Sequence, residues 1–293
     1  MENDKQGCVS DHFKMVVLSG GGTKGLLTLG ALQYYYENGS YDMKEVTTYC
    51  GTSIGAVISL LLICGYSPLH IFTEIYKTED FFEIPEKVEV WDVVKNMGIL
   101  PINSFTNKIK GMVESKFDQV PSLLELRNLT GKTLISVASN VTKMKCEYYS
   151  PDTHPDLSCL RAVELSSSLP ILFQRIQHEG DYISDGGLMD NFPLSHVDDG
   201  VTKILAVAIS KEYNDVPVHE EEFIGYFHRL IMLPMWSNIE MRLKSCGLNT
   251  TLVVIKYKES GVFEISVDDD IKLQFFLLGY QTAENKHKNV ENI

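Results

Sequence analysis

A serine with glycine two residues away on either side, Gly51-Thr52-Ser53-Ile54-Gly55, stands where an apolar stretch gives way to Ala56-Val57-Ile58-Ser59-Leu60-Leu61-Leu62-Ile63. A strand that turns sharply into a helix at a serine is a nucleophile elbow, in which the glycines leave room for the bend and the hydroxyl projects outward. The Ile54 amide then lies at the positive end of the following helix, where it would stabilise negative charge developing on an attacked carbonyl. A second glycine turn, Ser19-Gly20-Gly21-Gly22-Thr23-Lys24-Gly25, comes shortly before and offers further amide donors. A base is offered by Asp185, in Ser184-Asp185-Gly186-Gly187. A carboxylate held against a serine hydroxyl works as a general base without imidazole, provided burial raises its proton affinity.

Other chemistries compete for the same residues. Gly20, Gly22 and Gly25, with Asp42 roughly twenty residues on, satisfy the dinucleotide fingerprint on paper. The strand that should end in the acidic residue is missing, because Tyr34 to Asp42 reads as helix and turn. A P-loop fails, since no Gly-Lys-Ser/Thr follows the loop. A Ser, Asp, His triad on an α/β-hydrolase needs a histidine in a site-like setting. His196 and His219 fall in polar loops, His228 on a helix and His287 in the tail, so each reads as a solvated or core-edge histidine. Taken alone, the glycine turns and Asp-Gly-Gly are also compatible with plain surface turns.

The elements that must hold these groups follow from periodicity. Met15 to Leu18 is a buried-strand pattern, and Leu26 to Glu37 is helical until Asn38-Gly39 stops it. Val46 to Cys50 is the strand before the elbow, followed by a helix to Ile63 with Gly65 as its cap. Pro68 to about Glu125 reads mainly helical, with Asn103 or Ser104 as the N-cap of Phe105 to Phe117. Lys132 to Ser139 is a strand with Lys145 to Ser150 as its antiparallel partner, and Leu157 to Leu169 is a helix closed by Pro170. Lys203 to Ile209 shows no polar alternation, which implies a sheet covered on both faces. Glu220 to Cys246 is helical with a break near Pro234, Leu252 to Tyr257 a strand, and Asp269 to Lys286 the terminal helix. This alternation favours one α/β domain built on a mostly parallel sheet.

Bulk properties narrow the partners. The chain has 293 residues, 44% apolar content and a formal charge of −13, which argues against nucleic acid and against simple electrostatic adhesion to anionic lipid. The cysteines Cys8, Cys50, Cys64, Cys146, Cys159 and Cys246 form no C-x-x-C pair and have no His at metal-ligand spacing, so reduced thiols and no metal are expected. The N-terminus lacks the apolar core of a signal peptide and no run is long enough to cross a bilayer, which predicts a soluble intracellular, cytoplasmic protein. Asn38, Asn128, Asn140 and Asn249 begin sequons that read as chance matches.

Together these motifs resemble the patatin-like phospholipases and acylhydrolases. Gly20 to Gly25 is similar to that family's oxyanion loop, Gly51 to Gly55 to its elbow, and Asp185-Gly186-Gly187 to its dyad aspartate motif. Ser166-Ser167-Ser168-Leu169-Pro170 is similar to the serine-rich, proline-ended segment that precedes that aspartate. The likeness runs from Met15 to about Leu194 and loosens beyond it. It implies a three-layer α/β/α sandwich, with residues 15–198 as catalytic core and 199–293 completing the same domain. It further implies Ser53 as nucleophile, Asp185 as base, an oxyanion hole from Gly21, Gly22, Thr23 and Ile54, and no cofactor or calcium. The implied substrate is a glycerolipid or phospholipid, cleaved through an acyl-enzyme with transient membrane-surface contact. Lys24, where many relatives carry Arg, either meets substrate phosphate or is a solvated loop lysine. Phe223 to Met235 either lines an acyl groove, touches a bilayer or is core, with core favoured, and the same holds for Phe81-Phe82 and Trp91. Head group, acyl position and oligomeric state are not legible. A catalytically silent relative that binds lipid or protein is the remaining alternative.

Overall fold

The computed structural model describes residues 12–77, 90–212, 223–244, 246–257 and 268–291. Strand β1 (Met15–Leu18) ends in the glycine loop, where one turn of 3-10 helix (Gly22–Lys24) feeds α1 (Gly25–Glu37). β2 (Thr48–Thr52) passes through Ser53 into α2 (Ile54–Ile63), a helix buried at every position. Next come α3 (Pro68–Tyr76), α4 (Val90–Asn96), β3 (Gly98–Leu100), α5 (Asn103–Phe117) and α6 (Leu123–Thr130). The chain then forms β4 (Thr133–Asn140), β5 (Lys145–Tyr149), α7 (Cys159–Ser166), β6 (Ile171–Phe173), β7 (Ile176–His178) and β8 (Asp181–Asp185). Two short helices, α8 (Gly187–Asp190) and α9 (Leu194–Val197), precede β9 (Ile204–Lys211), α10 (Phe223–Leu243), β10 (Thr250–Tyr257) and α11 (Asp269–Glu291).

The main sheet has the order β10-β9-β1-β2-β4-β8-β7, with β5 also paired to β4. β10, β9, β1, β2 and β4 run parallel, whereas β5 and β8 pair antiparallel with β4, and β7 pairs antiparallel with β8. Its layers can be read from alternation along a strand. In β9, Leu205, Val207 and Ile209 belong to a core shared with α1, α2 and α5, while Ile204, Ala206 and Ala208 join a second core with Phe192, Leu194 and Ile239 of α10. Both cores exclude water, so the parallel strands carry continuous apolar runs, as expected for helices on both faces. The fold is the anticipated α/β/α sandwich. α11 lies against α1 so closely that a side chain at Gly30 would strike the Phe276 carbonyl.

Several boundaries differ from the sequence expectation. β2 begins at Thr48 rather than Val46 and runs to Thr52, because pairing with β1 on one side and β4 on the other draws Gly51 and Thr52 into the sheet. α5 opens on Asn103 itself, with Ile102 at the N-cap and no side-chain cap, and the Ser104 hydroxyl donates instead to the Pro101 carbonyl at 2.7 Å. The mainly helical stretch also contains β3, paired in parallel with β6. α7 stops at Ser166, short of Leu169, because the backbone beyond it is recruited by the Asp185 loop. α10 continues through Pro234 without a break, and Pro234 sits on its exposed side.

Candidate active site

Pairing register brings the motifs to one edge of the sheet. On β4, Val137 stands opposite Thr52, the last residue of β2, and the next residue, Ala138, stands opposite Asp185 on β8. Ser53, which follows Thr52, and Asp185 are therefore held at the same level by a shared strand. Leu18, the last residue of β1, pairs with Gly51 and Val207, so the glycine loop leaves the sheet beside the elbow. These are carboxyl ends of parallel strands, the side on which open α/β sheets place their ligands.

Ser53 itself is strained. Its φ of 54° and ψ of −124° are values a side-chain-bearing residue rarely adopts, and they aim the hydroxyl out of the turn. The turn survives because its glycines allow close approach: a side chain at Gly55 would come within 2.5 Å of the Leu18 carbonyl, and one at Gly51 would strike the Gly55 backbone. The Ser53 amide donates to the Ser166 hydroxyl at 2.8 Å. Behind it, the Thr52 hydroxyl donates to the Asp190 carbonyl at 2.8 Å, tying the elbow to α8.

Asp185 is 1% exposed. Burial pushes its carboxyl up to about 6, opposed by hydrogen bonding from the Ser53 hydroxyl and the Gly187 N–H. The latter donates at 2.7 Å. No imidazole is among these groups. Asp185 and Gly186 donate their amides to the carbonyls of Ser168 and Ser166 at 3.0 and 3.1 Å, and the Ser139 hydroxyl donates to the Asp185 carbonyl at 2.8 Å. The serine-rich segment thus fastens the aspartate loop and the elbow to each other.

The glycine loop is anchored at its first residues. The Ile209 amide donates to the Ser19 hydroxyl at 3.0 Å, and the Gly20 amide donates to the Asn191 carbonyl at 3.1 Å. Gly20 is thereby committed to structure, whereas no partner within the described residues takes up the amides of Gly21 and Gly22. Gly22 has φ of +56°, a left-handed turn that glycine adopts without strain. Gly25 rests against the Ile54 side chain, which joins the start of α1 to the start of α2. Thr23 and Ile54 lie in the first turns of the 3-10 helix and of α2. Lys24 is not a solvated loop lysine: it is buried, with its ammonium 5.5 Å from the centre of the Tyr257 ring.

Sequence reasoning missed the supports on the opposite face. Asp190 is buried, accepts from the Tyr148 hydroxyl at 2.8 Å and has Arg242 of α10 at 3.6 Å. His196, expected in a polar loop, is in α9 and stacks on Tyr148 with ring centres 3.6 Å apart. His287 lies on α11 against Tyr34 and Tyr35 rather than in a loose tail. The signal for the first of these was present, since Asp190-Asn191 comes only two residues after Asp185-Gly186-Gly187. In α10, Met235 and Ile239 are buried while Tyr226, Leu230 and Leu233 are exposed, so that helix is core on one side only. Trp91 is exposed, and Phe81, Phe82, His219 and Cys8 fall outside the described residues. Asn140 is buried and bonded to Glu147 and Asp181, which removes it as a glycan acceptor. Among the described residues no three His, Cys, Asp or Glu side chains gather as metal ligands, and no single helix is long and apolar enough to cross a membrane.

A sheet with helices on both faces, a strained serine on a strand-to-helix turn and a buried aspartate beside it define an α/β/α protein with a serine–aspartate pair at the carboxyl ends of its parallel strands. The patatin-like phospholipase family model matches residues 16–198, and the chain belongs to that family. It is 31% identical over 186 residues to the protein named Probable lipid hydrolase 463L of Invertebrate iridescent virus 6, covering 62% of each chain. It is 27% identical over 306 residues to a protein of Acanthamoeba polyphaga mimivirus, covering 98% of each. Its fold is similar to that of VipD from Legionella pneumophila, with a TM-score of 0.58 at 19% identity, over 95% of this chain and 67% of that one.

Proposed function

We propose that this protein is a lipid acyl hydrolase of the phospholipase A type, a serine esterase working through a Ser53/Asp185 dyad. The observation that carries the reading is a buried carboxylate, raised to about 6 and facing the hydroxyl of a strained elbow serine. A carboxylate of that proton affinity is mostly ionised at neutral pH yet basic enough to accept a serine proton in the transition state. Membership of the family and likeness to a viral protein named as a lipid hydrolase support a lipid ester as substrate.

In the proposed reaction the Ser53 oxygen attacks the ester carbonyl carbon while Asp185 takes its proton. The carbonyl π electrons move to oxygen, which the amides of Gly21, Gly22, Thr23 and Ile54 receive. Collapse expels the lipid alcohol, which leaves with the proton from Asp185 and yields an acyl-enzyme. Asp185 then deprotonates water, which attacks the acyl carbon and releases fatty acid as the proton returns to Ser53. Each oxyanion donor contributes about 2.7–4 kcal/mol of barrier lowering. Residues 15–198 would carry all of these groups, with 199–293 completing the same domain. The site needs transient contact with a lipid surface to receive its substrate.

The test is mass-spectrometric analysis of mixed-lipid vesicles, together with labelling by a fluorophosphonate probe. Wild-type protein should release fatty acid and take the label, and Ser53→Ala should do neither. Asp185→Asn should lose fatty-acid release while remaining folded. Near-wild-type turnover by Asp185→Asn would refute the dyad.

A further inference from the structure

A cavity of about 460 Å³ lies between α2, α3 and α5, within the span of about 300–1,000 Å³ typical of sites for small organic ligands. One wall is a single stripe of α2, formed by Ile54, Val57, Ile58 and Leu61. These positions fall on one helix face. Ile71 of α3 and Ile109 and Met112 of α5 face them, beside the polar side chains of His70, Glu74, Lys108 and Ser115. Tyr66, just past the end of α2, also lines the cavity, its hydroxyl fixed at 3.0 Å from the Met112 carbonyl and 2.7 Å from the Ser115 hydroxyl. The groove therefore follows α2 from the residue after Ser53 to the residue that stands beyond its far end. From Ile54 to Leu61 that is about 10 Å.

We infer that this groove holds the fatty-acyl chain of the substrate, carbonyl at Ile54 and methyl end toward Tyr66, so that Leu61 and Met112 govern which chain lengths are accepted. The inference rests on Ser53 as nucleophile. An acyl carbonyl held by the Ile54 amide lies over the start of α2, and the first methylenes beyond it meet the Ile54 side chain, where the groove begins. The wall along α2 is apolar throughout and buries an extended hydrocarbon on that side, while the polar side chains of α3 and α5 belong to the facing wall. A single stripe of one helix fits a single chain, which leaves the head group and any second chain outside. No described residue of α10 lines this cavity.

Two measurements test the inference, one of which is independent of catalysis. In Ser53→Ala protein, titration with the fluorescent fatty acid cis-parinaric acid should show saturable one-to-one binding, weakened roughly tenfold or more by Leu61→Trp or Met112→Trp. Met112 is only half-buried, so its replacement serves where Leu61→Trp fails to fold. In active protein, the ratio of kcat/KM for palmitoyl over butyryl p-nitrophenyl ester should fall roughly tenfold or more in the same variants. Absence of saturable binding to Ser53→Ala, or an unchanged chain-length ratio in Met112→Trp, would overturn the groove assignment. Saturable binding blocked by both variants in a protein that hydrolyses no ester would uphold the groove and remove the nucleophile reading instead.

Discussion

Ser53 and Asp185 each hold a conformation or environment that costs stability, which supports the chemical role proposed for them. A φ of 54° at Ser53 is relieved by glycine and not by alanine. Ser53→Gly should therefore be more stable than Ser53→Ala by about 1–3 kcal/mol, measured by urea denaturation, with both inactive. Asp185 has its carboxyl raised from 3.8 to about 6, so the folded protein binds this proton more tightly than the unfolded chain does. Its contribution to stability is thus fully present below about pH 4 and is lost as the pH rises through about 6. Asp185→Asn, which never ionises, should melt higher than wild type at about pH 8 and lose that advantage near pH 4. Catalysis runs the other way: kcat/KM should fall about tenfold per unit below roughly pH 6, since the base must be ionised. A flat acid limb would show that Asp185 is not the base.

At the level of elements, the C-terminal end of α7 holds the proposed dyad together. Ser166 accepts from the Ser53 amide through its hydroxyl and from the Gly186 amide through its carbonyl, so one residue grips both halves of the site. Ser166→Ala leaves the half-buried Ser53 amide without its partner, at a cost of about 1 kcal/mol. It should also lower kcat roughly tenfold while KM changes little, because the elbow loses its orientation rather than its substrate contacts. Ser166→Thr, which keeps a hydroxyl, should recover part of the loss. Equal losses in Ser166→Ala and Ser166→Thr would point to steric fit instead of this hydrogen bond.

At the scale of the whole molecule, the motifs end before residue 198 but the sheet does not. β1, which delivers the glycine loop, lies between β2 and β9, and the Ile209 amide anchors Ser19 at the loop's start. A fragment ending at residue 198 would expose one edge of β1 and uncover both cores where β9 packs. Such a fragment should lack a cooperative thermal transition by circular dichroism and take no fluorophosphonate label. Cooperative folding with labelling would make residues 199–293 a separate unit.

The strand-turn-helix units, the two-faced burial of β9 and the residues proposed as the dyad were legible in the chain, because glycine spacing and apolar runs are local consequences of backbone geometry. The family likeness rested on the same local signals. What the chain could not state was which distant groups serve them: Ser166 beneath the Ser53 amide, Asn191 beneath Gly20, and Asp190 tied to Tyr148 behind the elbow. Lys24 shows the limit well, since only the arrival of β10 with Tyr257 turns a loop lysine into a buried one. The groove along α2 is of the same kind. Periodicity marks Ile54, Val57, Ile58 and Leu61 as one apolar face, but whether that face meets solid core or an open channel depends on how α3 and α5 pack across it.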